Sequence, residues 1–506
     1  MGLRDSMILS PVSQRRDWAF RRLVRMSCLP RQFHFPGVFA TLGSMRSYIT
    51  AIIALVIMLP AFAVPAMSVR LPALFTDGMV IQRDVPIHVW GWGDEGERVA
   101  VKQGRHSASA SVKDGKWSAL LQPMRAGGPL TLAVTGSNKI EVKDVLIGEV
   151  WLCAGQSNMQ FVLMTAFESE QAIANASNPM IRLFTVPILS ARRDQEDVQS
   201  SWRVCSPESA GEFSAVGYFF GRDLQKALKV PIGLISASRG GTAAEAWIWY
   251  SYALDYPELT AILSDVQMSE LAAGIPAGQL YNGMIAPFVQ FPIKGVIWYQ
   301  GESSAQRARQ YRTVFPAMIR SWRDSWAQGD FPFLLVQLVP YATTAWPKDS
   351  WAEIRETQLL TAKLLPKVGM AVITDVGEEN DIHPKRKEPV GARLALAARA
   401  IAYGEKIEYS GPIYKSLKTK GDKIILSFTH VGKGLEARGG QLTGFEVAGS
   451  DGVFVPAVAS IEGKTVIVSS PRVAKPTAVR YGCTNCPVVN LFNKNGLPAS
   501  PFRTSH

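Results

Sequence analysis

The sequence predicts an α/β protein in which a doubly wound sheet is flanked by antiparallel β-sandwich domains. Three observations predict this fold. Short strands alternating with glycine and aspartate turns fill residues 67–144 and 405–506, as in antiparallel sandwiches. Residues 145–404 instead alternate continuous apolar runs with amphipathic segments, which is typical of buried parallel strands and their crossover helices. Residues 1–66 form a further segment of different composition.

Composition and charge exclude several classes of protein. The chain has 506 residues, of which 47% are hydrophobic and 19% charged, so disorder and fibrous repeats are excluded. The net charge is +12, but residues 1–66 alone carry half of it through eight arginines against two aspartates. The remaining charge has no basic run, so we expect no nucleic-acid partner. The sequence specifies no oligomeric state.

Residues 45–66 have the three parts of a secretory signal peptide. Arg46 gives a positive n-region, and Ile49 to Leu59 is an apolar core. Ala61-Phe62-Ala63 is a small-x-small cleavage pattern, with Val64-Pro65-Ala66 as a second choice. The apolar run is shorter than the ~20 residues that a spanning helix needs, so we expect no stable membrane anchor. The mature protein is expected to be periplasmic or secreted.

The arginine-rich segment before this leader shows neither a helical nor a strand period. Met45 stands directly before the n-region, so we interpret it as the natural start and residues 1–44 as an over-extended gene model. A transit or export pre-segment is the alternative interpretation.

Cys483 and Cys486 form the close cysteine pair of the chain. An oxidising compartment permits a disulfide, and we expect a local bridge that stabilises a turn. A redox role would require this spacing near a βαβ unit, which its neighbourhood lacks. Structural zinc would require four ligands, and no second cysteine pair lies nearby.

Helical periodicity within residues 145–404 predicts at least three helices. Ser214 is a predicted N-cap for a helix over Ala215 to Leu228, and Glu388 to Ala402 is a second helical stretch. In the third, aromatic and aliphatic residues recur at three- and four-residue steps, at Tyr311, Phe315, Ile319, Trp322 and Trp326. The predicted strands of the core are the apolar runs that begin at Glu149, Ile232, Gly295, Phe333 and Met370.

Side chains with catalytic chemistry cluster in four loops that follow these strands. The loops are Gly155–Met159, Ser238–Thr242, Gln300–Ser303 and Asp375–Pro384. Ligands of doubly wound sheets bind at the carboxyl ends of the strands. The loops contain a hydroxyl, glycines, amides, carboxylates and an imidazole, which is the set that nucleophilic acyl transfer needs. Of the six histidines only His383 lies in residues 145–404, so it is the one candidate for a general base there.

Each of these residues also has a structural explanation when taken alone. A serine after a strand is usually a turn or N-cap residue, and Gly240-Gly241 could be turn glycines. Glu302 and Asp381 could be helix N-terminal charges. Their concentration at predicted strand ends favours a catalytic site.

Three motifs resemble those of a known family. Gly155-Gln-Ser-Asn-Met, Ile297-Trp-Tyr-Gln-Gly-Glu-Ser and Ile382-His-Pro-x-x-Lys are similar to motifs of the sialate O-acetylesterase family, a branch of the SGNH-hydrolase superfamily. Members of that family remove acetyl groups from sugars. The resemblance runs from Leu71 in the first β-domain to Thr504, and it implies an SGNH-hydrolase-like core.

The resemblance also implies roles for individual residues. Ser157 takes the place of the nucleophile and His383 that of the general base. Gly241, or Gly240, takes the place of the glycine whose N–H joins that of Ser157 in the oxyanion hole. Gln300 stands where the superfamily has an oxyanion-hole asparagine.

The group that orients His383 is left open by the sequence. The superfamily has an aspartate three residues before its histidine, but here that position is Asn380. Asp381, Glu302 or a backbone carbonyl could take the role. If residues 381–383 are extended, the side chains of Asp381 and His383 share a face, which favours Asp381 over Asn380.

No metal or other cofactor is expected. The core lacks a His-x-x-x-His pair, and no phosphate-binding glycine motif is present. We therefore expect an exported serine esterase that removes O-acetyl groups from glycans, either sialic acid or a plant hemicellulose such as xyloglucan or xylan. The alternatives are a lipase or thioesterase on the same fold, and a non-catalytic glycan-binding protein. Ser157 and His383 disfavour the last, because a binding module needs neither.

Overall fold

The computed structural model describes residues 68–265 and 274–504. The signal peptide and the arginine-rich segment predicted within residues 1–66 lie outside the described residues. In the part of the chain that is described, no helix combines the length and apolarity needed to cross a membrane.

The strands fall into an N-terminal, a central and a C-terminal group. In chain order they are β1 (Val80–Gln82), β2 (Ile87–Trp92), β3 (Arg98–Gln103), β4 (His106–Ser111), β5 (Lys116–Leu121), β6 (Gly127–Thr135), β7 (Lys139–Gly155), β8 (Asn178–Thr185), β9 (Arg203–Cys205), β10 (Ile232–Ser238), β11 (Gly295–Tyr299), β12 (Phe333–Gln337), β13 (Val368–Val372), β14 (Ile413–Lys420), β15 (Lys423–Thr429), β16 (Leu435–Ala437), β17 (Phe445–Ala448), β18 (Val455–Pro456), β19 (Val458–Glu462), β20 (Thr465–Ser469), β21 (Ala478–Tyr481), β22 (Leu491–Asn493) and β23 (Phe502–Arg503).

The helices lie between the strands of the central group. The α-helices are α1 (Ser157–Gln160), α2 (Ser169–Ala174), α3 (Pro207–Ala210), α4 (Ala215–Leu228), α5 (Tyr250–Ala253), α6 (Pro257–Asp265), α7 (Ala308–Trp326), α8 (Ser350–Leu364) and α9 (Glu388–Ile401). Short 3-10 turns cover Leu163–Thr165, Ala244–Trp247, Ala286–Phe288 and Glu302–Arg307, and a π-helical turn covers Tyr281–Ile285.

The central sheet is parallel and buried, as the apolar runs predict. Its order is β13-β12-β11-β7-β10-β8, with β9 antiparallel at the β8 edge. Every residue of β10, β11, β12 and β13 is buried, because both faces of the sheet are covered. The predicted fold class is confirmed.

Two tryptophans show how the two faces are covered. Trp151 of β7 packs edge-on against Phe220 of α4, with ring centroids 5.1 Å apart. Trp298 of β11 is in register with Ala154 of β7, so it points to the face opposite Trp151. There it packs against Trp322 of α7 at 5.7 Å. Helices α4 and α7 therefore lie on opposite faces, as in a doubly wound fold.

The three predicted helices are confirmed. Helix α7 contains all five residues of the predicted apolar stripe, and each of them is buried. The Ser214 hydroxyl accepts a hydrogen bond from the Gly217 N–H, which caps α4. Helix α9 begins at Glu388, as expected, and ends at Ile401.

Strand β7 connects the N-terminal sheet to the central one. Its first half pairs with β6 and β1, and its second half, Glu149–Gly155, pairs with β10 and β11. The expected boundary between residues 144 and 145 lies within this 17-residue strand. The rest of the N-terminal part consists of the antiparallel strands β3, β4 and β6 and the separate β2–β5 pair.

The C-terminal strands form small antiparallel sheets, and the turn that carries the cysteine pair differs from expectation. All four cysteines of the described residues are free thiols, so the disulfide predicted between Cys483 and Cys486 is absent from the structure. The Cys483 Sγ instead lies 3.2 Å from the Phe502 carbonyl oxygen, toward which its thiol donates. The turn is held by buried Arg355, whose guanidinium donates to the carbonyl oxygens of residues 484 and 485.

Candidate active site

The predicted catalytic loops meet where the order of the strands reverses. The chain runs from β7 through β8 to β10 on one side of β7, and then crosses to β11 on the other side. Ser238 of β10 and Tyr299 of β11 are both in register with Gly155 of β7. The carboxyl ends of these strands therefore lie together, which is where open α/β sheets bind their ligands.

The turn after β7 presents Ser157. Gly155 has a φ of 144°, and a Cβ there would lie 2.1 Å from the Tyr299 carbonyl oxygen, so the turn requires glycine. Buried Gln156 accepts a hydrogen bond from the Ser303 N–H at 3.2 Å, which ties this turn to the one after β11. Helix α1 begins at Ser157, so the Ser157 N–H has no partner within the helix.

The loop between β13 and α9 brings His383 to this serine. The Nε2 atom of His383 lies 2.8 Å from the Ser157 Oγ, and both residues are half-buried. Burial lowers the pKa of His383, the charge of Lys387 lowers it further, and the charge of Asp381 raises it. His383 is therefore a base kept in its neutral form beside a serine hydroxyl.

Among the described residues, neither predicted acid hydrogen-bonds to the imidazole ring. Residues 381–383 bend instead of being extended, so the Asp381 Oδ1 accepts the backbone N–H of His383 at 2.8 Å. The Glu302 Oε1 accepts the side-chain amide of Asn158 at 2.5 Å. Within residues 68–265 and 274–504, the Nδ1 of His383 has no hydrogen-bond partner. The expectation that a carboxylate or a backbone carbonyl bonds to the ring is therefore not met.

The glycine loop after β10 passes beside the nucleophile. A Cβ at Gly240 would lie 3.3 Å from the Ser157 Cβ. The Gly240 N–H already donates to the Gln160 Oε1 at 2.7 Å. Gly241 is exposed, with a φ of 70°, and its N–H has no acceptor in the described part of the chain. Of the two glycines named from the sequence, Gly241 is the one with an available N–H.

The prediction that Gln300 donates to the oxyanion is wrong in this structure. Gln300 is fully buried, and its Nε2 donates to the Thr242 carbonyl oxygen at 3.2 Å and to the Ser304 Oγ at 2.9 Å. Because an amide nitrogen has two hydrogens, no donor is left for substrate. Gln300 therefore stabilises the glycine loop through the Thr242 carbonyl oxygen.

Two buried residues of the site were not predicted from the sequence, although both lie in the motifs that resemble the family. Asn158 donates to Glu302 and, at 2.9 Å, to the Ile382 carbonyl oxygen. The Lys387 Nζ donates to the Asn158 Oδ1. Their signal was the Asn of Gly-Gln-Ser-Asn-Met and the Lys of Ile-His-Pro-x-x-Lys, but a lysine in a sequence is ordinarily taken as a surface residue.

The geometry fits nucleophilic acyl transfer. The Ser157 hydroxyl lies within hydrogen-bond reach of the His383 imidazole, and the backbone N–H groups of Ser157 and Gly241 are left without acceptors in the described residues. Acyl transfer requires a nucleophile, a base and oxyanion donors of this kind. The described side chains contain no group of three or more His, Cys, Asp or Glu residues that could hold a metal ion.

Comparison with known proteins points to the same chemistry. A family model for carbohydrate esterases, the sialic acid-specific acetylesterases, matches residues 147–400. The sialate O-acetylesterase of Homo sapiens is 33% identical over 71% of this chain and 76% of its own length. The sialate O-acetylesterase of Rattus norvegicus is 30% identical over 86% of this chain and 94% of its own length.

A solved structure is similar over most of the chain. A carbohydrate acetylesterase from Xanthomonas citri superposes with a TM-score of 0.81 and 42% identity, covering 87% of this chain and 100% of its own. The motifs, the fold and these relatives all indicate a carbohydrate acetylesterase. The chain therefore belongs to the sialic acid-specific acetylesterase family of carbohydrate esterases and is a carboxylic ester hydrolase.

Proposed function

We propose that the protein is an exported serine esterase that removes O-acetyl groups from glycans through an acetyl-serine intermediate. The observation that carries the mechanism is the distance of 2.8 Å between the His383 Nε2 and the Ser157 Oγ. This is hydrogen-bond contact between a nucleophile and its base. The family match supports an acetylated carbohydrate as substrate.

The reaction begins with attack by Ser157. His383 accepts the Oγ proton while the Oγ attacks the acetyl carbonyl carbon, and the N–H groups of Ser157 and Gly241 stabilise the oxyanion. The tetrahedral intermediate collapses, and the sugar hydroxyl leaves with the proton from His383. Water then attacks the acetyl-serine with the same base, which releases acetate and restores Ser157.

Asp381 assists by charge and by position. Its carboxylate fixes the backbone of His383 by accepting the N–H of that residue. Burial and the charge of Lys387 lower the pKa of His383, and the charge of Asp381 raises it. A negative charge at this place stabilises the imidazolium that forms during attack. Asp381 therefore acts on the ring from a distance.

The proposed substrates are acetylated sialic acid or an acetylated plant hemicellulose such as xyloglucan or xylan. The test is acetate release from a panel of these glycans by the wild-type enzyme and by Ser157→Ala. We expect acetate from at least one glycan and a rate below a few per cent of wild type for the folded variant, about what oxyanion binding alone leaves. A folded Ser157→Ala enzyme with wild-type activity would contradict the proposal.

Two further assays separate the alternative activities. A lipase or thioesterase would prefer octanoate to acetate in a chain-length series of nitrophenyl esters, whereas we expect acetate to be preferred. A glycan-binding protein would retard on glycan gels and release no acetate.

Export is proposed from the signal-peptide pattern of residues 45–66. N-terminal sequencing of the protein recovered from the periplasm or the medium should find it cut after Ala63 or Ala66. Recovery of uncut protein in the cytosol would contradict export.

A further inference from the structure

A lysine is buried against the turn that carries the nucleophile. Lys387 lies four residues after His383, directly before α9, and is 1% exposed. Its Nζ lies 4.6 Å from the centroid of the Phe161 ring and 5.5 Å from that of Tyr299. Lysine is almost never fully buried unless it is paired, so a buried lysine this close to a catalytic base requires a physical explanation.

The partner of Lys387 is the amide of Asn158, the residue after the nucleophile. The Asn158 Oδ1 accepts from Lys387, while its Nδ2 donates to the Glu302 Oε1 at 2.5 Å and to the Ile382 carbonyl oxygen at 2.9 Å. An ammonium can only donate, and a carbonyl or carboxylate oxygen can only accept. The amide therefore has one allowed orientation, because a flip would set donor against donor and acceptor against acceptor.

This amide connects three of the four loops of the site. Asn158 belongs to the nucleophile turn, Lys387 and Ile382 to the histidine loop, and Glu302 to the turn after β11. All three polar side chains are buried, where hydrogen bonds are not exchanged with water and a lost partner is costly.

Lys387 and Glu302 carry opposite charges on the two sides of the Asn158 amide, and each opposes the effect of burial on the pKa of the other. Burial lowers the pKa of Lys387 to about 7, while the charges of Glu302 and, from the histidine loop, of Asp381 and Glu378 oppose that shift. Burial raises the pKa of Glu302, and Asn158 and Lys387 oppose it. Lys387 in turn acts on His383, where its charge favours the neutral imidazole.

We propose that Lys387 is a positioning residue for the esterase reaction: through Asn158 it fixes the nucleophile turn against the histidine loop, and it places a buried ammonium four residues after the general base. The proposal rests on the Ser157–His383 mechanism and adds a residue that does not touch substrate. Two separable effects follow. Loss of the hydrogen bond should lower kcat more than it raises KM, and loss of the charge should move the acid limb of the pH profile.

The sign of that movement follows from the charges. A positive charge near an imidazole disfavours its protonation, so removing it raises the pKa of His383. The rise of kcat/KM with pH, which reports the free enzyme's base, should then occur at higher pH.

The experiment compares three variants on nitrophenyl acetate and on the glycan that the wild-type enzyme deacetylates. Lys387→Met removes hydrogen bond and charge, and Lys387→Gln removes the charge while its amide can still donate to Asn158. Lys385→Met is the matched control, because Lys385 lies in the same loop but is exposed and its charge is screened by solvent.

We expect Lys387→Met to lower kcat by at least about tenfold and Lys387→Gln by less, both with the acid limb moved to higher pH. Lys385→Met should match wild type in rate and profile. The proposal is overturned if Lys387→Met keeps the wild-type rate and limb, or if the control shifts equally. Failure of both Lys387 variants to fold would assign the residue to the fold and overturn it too. Failure of the proposed function would differ, since Ser157→Ala would then retain activity.

Discussion

Two buried cations, Lys387 and Arg355, show two ways in which this protein holds a positive charge away from water. Arg355 is fully buried and donates to the backbone carbonyl oxygens of Val339, Thr484 and Asn485. Lys387 meets one amide oxygen, two aromatic faces and a carboxylate across the amide. Burial lowers the pKa of both, to about 10 for Arg355 and about 7 for Lys387.

The difference lies in what each charge can influence. Arg355 uses a planar fork of donors to join the 483–486 turn to α8, and its charge is not among the influences on the pKa of His383, so it serves the fold. The lysine charge is compact and lies close enough to His383 to lower the pKa of that base. Both cations are buried at a cost in solvation, but Arg355 stabilises the fold whereas Lys387 acts on the catalytic base.

The largest effect on kcat is expected at Glu302, whose charge opposes the effect of burial on the pKa of Lys387. Glu302→Gln leaves the buried lysine without its compensating charge, so we expect kcat to fall well beyond tenfold, which is ~1.4 kcal/mol of barrier. Asp381→Asn should cost about tenfold or less, since Asp381 is half-buried and bonds to the backbone N–H of His383 instead of the ring. Steady-state kinetics of both variants and of the double variant measure this. If all three stay within about tenfold of wild type, a carboxylate role in catalysis is refuted.

The next effect belongs to Arg355 and should appear in stability alone. Arg355→Met removes the three hydrogen bonds that the guanidinium donates, while the Val339 and Asn485 carbonyl oxygens keep a second donor each. At about 1 kcal/mol for each lost hydrogen bond, the free energy of unfolding should fall by roughly 3 kcal/mol. Urea denaturation measures it, with the pH profile of kcat/KM as the control. A shifted acid limb in folded Arg355→Met would show that Arg355 also acts on His383, which would contradict the difference between the two cations.

The smallest expected effect is a shift of the acid limb itself. Because burial and Lys387 lower the pKa of His383, wild-type kcat/KM should rise with pH below the ordinary value of ~6.5. Asp381 opposes that shift, so Asp381→Asn should move the limb to lower pH, opposite in sign to the Lys387 variants. A limb above 6.5 in the wild-type enzyme would show that the charges around His383 are misassigned.

The sequence was most informative where one property decides the structure. The apolar runs predicted the central strands because burial on both faces leaves an unambiguous pattern. His383 was predicted because no other histidine lies in residues 145–404, and the structure places it beside Ser157.

The sequence was least informative where the direction of one side chain decides. A glutamine after a strand can donate to substrate or to a neighbouring loop, and Gln300 does the latter. The spacing of Cys483 and Cys486 permits a bridge, but the turn is held by an arginine from α8. The burial of Lys387 could not be predicted from the sequence, because only its packing against the Phe161 and Tyr299 rings shows it.

The most direct test of the account is to trap the acetyl group on the enzyme. Nitrophenyl acetate acylates serine esterases quickly, so a rapid acid quench during the burst should preserve the intermediate. Peptide mapping by mass spectrometry should then find one acetyl group on the peptide that contains Gly155-Gln-Ser-Asn-Met159, attached to Ser157, and none in Ser157→Ala. Acetyl on another residue, or turnover with no acetylated serine at any time, would contradict the mechanism.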